Sequence, residues 1–243
     1  MGNIREEVLK TVQFLHQTLQ QKVGSNLVSL TLVGSAVTGD FVSGKSDINS
    51  VLATNTIDTR LLSVLATMGP QMGRKRLRAP LLMTPSYVER SCDVFAVEWL
   101  DFQRFHETIH GPDPFESLTF EKEHVRLQCE KQFKSVLVQI RQVYISSAEK
   151  KDILAALLTN TAKELLPYLR AMLWLKDTER LGGYSATFKQ IEENLSVNME
   201  SLHTAFGFRY QKLNQSVEQV KNLFAQTYKS VETLSEIADQ LGG

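Results

Sequence analysis

The stretch Val33-Gly-Ser-Ala-Val-Thr-Gly-Asp-Phe-Val-Ser-Gly-Lys-Ser-Asp-Ile-Asn-Ser-Val-Leu-Ala53 decides how the chain is read. Before it, Leu27-Val-Ser-Leu-Thr-Leu-Val33 alternates two sets of side chains and is rich in β-branched residues, so it reads as a strand. Gly34-Ser35 ends that strand, a loop carries Gly39 and Gly44, and Ile48 to Thr54 reads as a second strand. Gly34 lets backbone N–H groups come close to an anion, and the Ser35 hydroxyl adds a donor. Asp47 and Asn49 are two residues apart on an extended segment, so both side chains leave one face. A phosphate cradle beside oxygen ligands for a hard cation suits transfer from a nucleoside triphosphate with Mg2+.

In this order the motif resembles that of the polymerase β-like nucleotidyltransferase superfamily: a hydrophobic strand, Gly-Ser, a glycine-bearing loop, then Asp-x-Asp on a second strand. The match covers about residues 27–54. The resemblance implies that Gly34, Ser35 and Ser46 hold the nucleotide, and that Asp47 and Asn49 serve as catalytic and metal-binding positions. It also implies a third carboxylate on a later strand. Cys92-Asp-Val-Phe-Ala-Val-Glu-Trp-Leu-Asp-Phe102, read as a strand, offers Asp93 first and Glu98 second for that role, as the general base toward the acceptor. Asn49 departs from the family pattern, because it places a neutral amide where the second aspartate stands. Two divalent ions about 3.5–4 Å apart need compensating negative charge, so this replacement weakens metal binding and slows chemistry.

Outward from the motif, residues 3–22 form an amphipathic helix ended by Gly24. Asp58 or Thr59 caps a helix to about Met68, and Ala79 to Pro85 holds a short buried strand. After His110-Gly-Pro-Asp-Pro114 the pattern turns to long helices over about 120–146 and 150–176, the second apolar nearly all round and interrupted by Pro167. Two shorter helices flank Gly207, and Asn214 or Ser216, with Gln219 for a capping box, starts the last. The expected fold is α+β: a small mixed nucleotidyltransferase-type sheet with flanking helices in 1–115, then an all-α helical bundle in 116–243.

Composition excludes several classes. The 243 residues carry 27 basic and 27 acidic side chains, so no global charge argues for a nucleic-acid partner. No apolar run reaches the ~18 residues that cross a membrane. The two cysteines form no ligand cluster, which suits a reducing cytoplasm. Gly73-Arg-Lys-Arg-Leu-Arg78 could contact phosphates, but a solvated loop is the commoner meaning of such a run. His106 and His110 have the spacing of a zinc pair but lack a third ligand, and Trp99 and Trp174 read as core. Arg126 and Arg141 read as exposed or salt-bridged.

Two functions follow from the resemblance. One is nucleotidyl transfer from a triphosphate, ATP first, to a small-molecule or protein acceptor that the sequence does not name. The other is a catalytically inactive nucleotide-binding or protein-interaction descendant. The last helix either closes the bundle or mediates a homodimer, and the first is favoured.

Overall fold

A computed structural model describes residues 4–178, 182–210 and 213–241. The chain is an α+β protein whose two compact units are Met1–Thr119 and Phe120–Gly243.

In the first unit α1 (Glu6–Val23) ends at Gly24 and leads into β1 (Leu27–Val33). A single turn, α2 (Ser35–Thr38), follows, then a loop and β2 (Asn49–Thr54). Next come α3 (Thr59–Arg74), β3 (Leu81–Met83), α4 (Pro85–Arg90), α5 (Ala96–Arg104) and β4 (His106–His110). The sheet order is β3-β2-β1-β4, with β2 parallel to β3 and the other neighbours antiparallel. Strand alternation sends Leu30, Leu32, Leu52 and Ile48 to one side, where they join Val8, Val12, Leu15 and Leu19 of α1 and Met68 and Met72 of α3 in a common core. Asn49, Val33 and His106 lie in one row on the opposite face, since Val33 is the register partner of both others.

Three expectations need correction. Residues 92–102 are not a strand: a turn is followed by α5, whose buried Ala96, Val97, Trp99 and Leu100 have the i, i+1, i+3, i+4 spacing of a helical face. The further strand is β4, hidden because only Ile109 within His106–His110 is apolar. Finally, α3 runs past Met68 to Arg74 through Pro70, since buried Met68 and Met72 continue its apolar stripe. Asp58 caps that helix by accepting the Leu61 N–H at 2.8 Å.

The second unit holds α6 (Lys122–Ser146), α7 (Lys151–Leu175), α8 (Tyr184–Leu195), α9 (Glu200–Gly207) and α10 (Val217–Gln240). The central helix is α7, which continues through Pro167 and buries residues on nearly every side, from Leu154 and Leu158 to Leu169 and Leu173. Ser216 and Gln219 close a full capping box at α10: the Gln219 N–H donates to Ser216 Oγ at 3.2 Å, and the Ser216 N–H donates to Gln219 Oε1 at 2.8 Å. Arg126 and Arg141 are both engaged, Arg126 between Glu123 and Glu130, and Arg141 donating to the Tyr228 hydroxyl at 2.8 Å.

Lys134 ties α6 to α10, meeting Glu130 at 2.6 Å and Asp239 at 2.9 Å. The Lys134 hydrogen bond first, then that of Arg126, holds the Glu130 carboxyl down to about 2 from 4.5. A carboxyl depressed in the folded state stabilises above its unfolded value and loses that contribution as pH falls. Melting temperature is therefore expected to drop between pH 4.5 and 2. In Glu130→Gln that drop should be shallower; an unchanged profile would mean the network contributes nothing.

Candidate nucleotide site

Gly34 carries φ of 76° and ψ of −149°, backbone that a side chain resists. A Cβ there would sit 3.3 Å from Asn49 Nδ2, so the turn and the amide lie together. Ser35 opens α2 at the same bend. Ser46 is turned inward: it is 2% exposed, and its hydroxyl accepts the Val42 N–H at 3.0 Å, closing the loop. Its visible role is to shape the loop.

Next to β2 the chain returns on itself. The Ile48 N–H donates to the Arg76 carbonyl at 2.8 Å, and the Arg78 N–H donates to the Ile48 carbonyl at 3.0 Å, making a parallel bridge between Ile48 and Leu77. Ile48 and Leu77 both enter the core. Their neighbours therefore face the other way: Asp47 and Asn49 from one segment, Arg76 and Arg78 from the other. Asp47 Oδ2 accepts from Arg78 Nε at 3.1 Å, and Asp47 Oδ1 lies 3.8 Å from the near terminal nitrogen of Arg76. Arg76 adopts φ of 54°, a left-handed conformation that costs a non-glycine residue ~1–2 kcal/mol. The Asp47 carboxylate and both guanidinium groups are substantially exposed, so these pairs are each worth ~0–1 kcal/mol and open readily.

Neither candidate for the third acid stands on a strand. Asp93 sits exposed in the turn before α5, where its carboxylate accepts the Val94 N–H at 2.9 Å. Glu98 lies in the first turn of α5 and not on a strand. On β3, Leu81 pairs with Val51 and so shares the face of Asn49; it is 47% exposed. On β4, Glu107 pairs with Leu32, which puts it on the side away from Asn49. His106 does share Asn49's face, but its ring is committed: Nδ1 lies 2.8 Å from the Phe102 carbonyl and Nε2 lies 2.7 Å from Asp113. His110, at the far end of the same strand, stacks against His16 with ring centroids 4.4 Å apart, so the two strand histidines share no ligand. Trp99 is core, its indole N–H donating to Ser91 at 3.0 Å.

A two-ion magnesium centre needs converging carboxylates. Among the described residues no three histidine, cysteine, aspartate or glutamate side chains come together to hold a metal. Asp47, Asn49, Arg76 and Arg78 supply one carboxylate, one amide and two guanidinium groups, and this donor set does not fit a pair of divalent cations. The arginines are visible in the sequence as a basic run; what is hidden there is their pairing with Asp47, which lies 31 positions before Arg78.

Comparison with known proteins bears on the fold. No family model matches the chain, and no curated protein matches it. Among solved structures it is similar to spectinomycin adenyltransferase AAD(9) from Enterococcus faecialis, determined with ATP and spectinomycin. The TM-score is 0.56 at 10% identity, over 92% of this chain and 99% of that one. The chain thus has a nucleotidyltransferase fold over both its units. No helix among the described residues is long and apolar enough to cross a membrane.

Proposed function

We propose that this chain is a nucleotidyltransferase-fold protein that binds a nucleoside triphosphate, ATP first, without transferring its nucleotidyl group. The observation that carries this reading is Asn49 against Gly34, with Leu81 on the neighbouring strand where a further acid would share its face. In-line transfer asks the protein to neutralise both the attacking and leaving oxygens through metal ions, and one exposed aspartate is a poor holder for them. Nucleotide binding asks less: a close-approach glycine, donors and positive charge. The similar adenyltransferase was determined with ATP, which supports a nucleotide as the ligand class.

A second reading keeps transfer to a small-molecule acceptor, with Asp47 and Mg2+ as what remains of the metal site. It is favoured by the retained order Gly34, Ser35, Asp47 and by the neighbour's second ligand, spectinomycin. The two readings part on a single assay. Protein is incubated with magnesium and labelled ATP, alone and with small aminocyclitol acceptors, and pyrophosphate release is followed beside calorimetric ATP binding. We expect binding with no release, both in the wild type and in Asn49→Asp, because restoring one carboxylate leaves Leu81 in place. Release by the wild type would establish transfer; absence of any ATP binding, with or without magnesium, would remove the nucleotide itself.

A further inference from the structure

We infer that Arg76 and Arg78 take the place of the metal: the phosphate chain of a nucleoside triphosphate is held by two guanidinium groups, and binding requires no divalent cation. This rests on the nucleotide-binding reading above, and it starts from the mismatch between the residues present and a magnesium centre.

The backbone makes the case first. Residues 76–78 are bolted to Ile48 by two hydrogen bonds of 2.8 and 3.0 Å, and the buried Leu77 anchors the segment in the core. The two arginines on either side of Leu77 are thereby fixed on the face that carries Asp47 and Asn49, even though each is itself exposed. Arg76 is held there in left-handed backbone and also reaches the Lys45 carbonyl at 3.4 Å. Charge comes next. A metal-dependent transferase gathers carboxylates, so its site is negative until cations arrive. Here one carboxylate faces two guanidinium groups, at 3.1 and 3.8 Å, and the local sum is positive before any ligand binds. Such a site repels Mg2+ and attracts a polyanion. The chemistry agrees, because a guanidinium fork presents paired donors that match phosphate oxygens. Asp47 is then the internal stand-in for the ligand, a carboxylate that occupies the arginines until phosphate displaces it.

This reverses the usual sign of magnesium. A transferase binds its nucleotide better with Mg2+; here the cation neutralises the phosphates that the arginines recognise, so it weakens binding. The test is calorimetry on the full chain with ATP in EDTA, ATP in excess magnesium, and inorganic tripolyphosphate under both conditions. We expect ATP to bind in EDTA and to bind more weakly in magnesium, with tripolyphosphate showing the same reversal. Arg76→Gln and Arg78→Gln should each weaken binding roughly tenfold, the factor that accompanies loss of one charge-assisted hydrogen bond. Asp47→Asn should tighten it, by up to about fivefold, since it removes the competing carboxylate. All three positions are exposed or half-exposed, and unchanged melting temperatures would verify that the variants fold. Binding that disappears in EDTA, or that Asp47→Asn weakens, overturns the inference and leaves nucleotide binding standing. No binding of ATP or tripolyphosphate under any condition overturns both.

Discussion

Gly111→Ala is expected to cost the first unit about 3 kcal/mol or more, a large part of the ~5–15 kcal/mol that holds a typical domain folded. Gly111 follows β4 directly and sits at φ of 76°, where any side chain carries strain of ~1–3 kcal/mol. Conformation is the smaller part. A Cβ at this position would lie 1.9 Å from the Val28 carbonyl oxygen and 3.1 Å from the Ser29 Cα, all of it backbone within β1. No rotamer change relieves a clash between two main chains, so β4 must pull away from β1 at the end where Leu30 pairs with His110. Chemical denaturation followed by circular dichroism measures the loss. Gly24→Ala and Gly44→Ala are the controls, since both have positive φ and nothing within 4 Å of the added carbon. They should show the conformational penalty alone. If Gly111→Ala behaves as they do, the contact between β4 and β1 is looser than the structure has it.

That glycine illustrates what could and could not be read along the chain. Strands β1 and β2, the bend between them and the capping box at Ser216 were legible because each is written in neighbouring residues: an alternation, a Gly-Ser, a Ser-x-x-Gln. The β4 strand was not, because His106, Glu107, Thr108 and His110 are all half-buried and carry no alternation of apolar and polar side chains. Its partner set was fixed by β1, more than 70 residues away. The same holds for the candidate site. The motif itself places Gly34 beside Asn49, but the sequence points to Asp93 for the third acid only if Val94, Ala96 and their neighbours form an extended run. In the folded chain a turn leads there into α5, and the Asp93 carboxylate accepts the Val94 N–H within that turn. The basic run 73–78 reads in sequence as a solvated loop, and where its arginines face depends on Leu77 finding Ile48. Local pattern names elements; it does not say which exposed charge meets which.

Phe206→Ala should destabilise the helical unit by about 3–5 kcal/mol, the range for removing a fully buried aromatic ring. Phe206 is 1% exposed and closes α9 one residue before Gly207. Its ring stacks on Tyr184 with centroids 4.1 Å apart and meets Phe188 edge-on at 6.2 Å, while Tyr210 lies at 6.1 Å and the Arg209 guanidinium at 4.9 Å. Tyr184 and Phe188 stand one turn apart on α8, so this one ring is the pin on which the start of α8 and the end of α9 meet. Removing it leaves a cavity that its neighbours cannot fill without leaving α7, against which both short helices pack. Phe206→Leu keeps most of the volume and loses the ring geometry, so it should cost about half as much or less. A urea titration of both variants separates packing volume from ring stacking. Equal losses would assign the effect to the aromatic contacts, and near-neutral losses in both would mean α8 and α9 are held by their contacts with α7 alone.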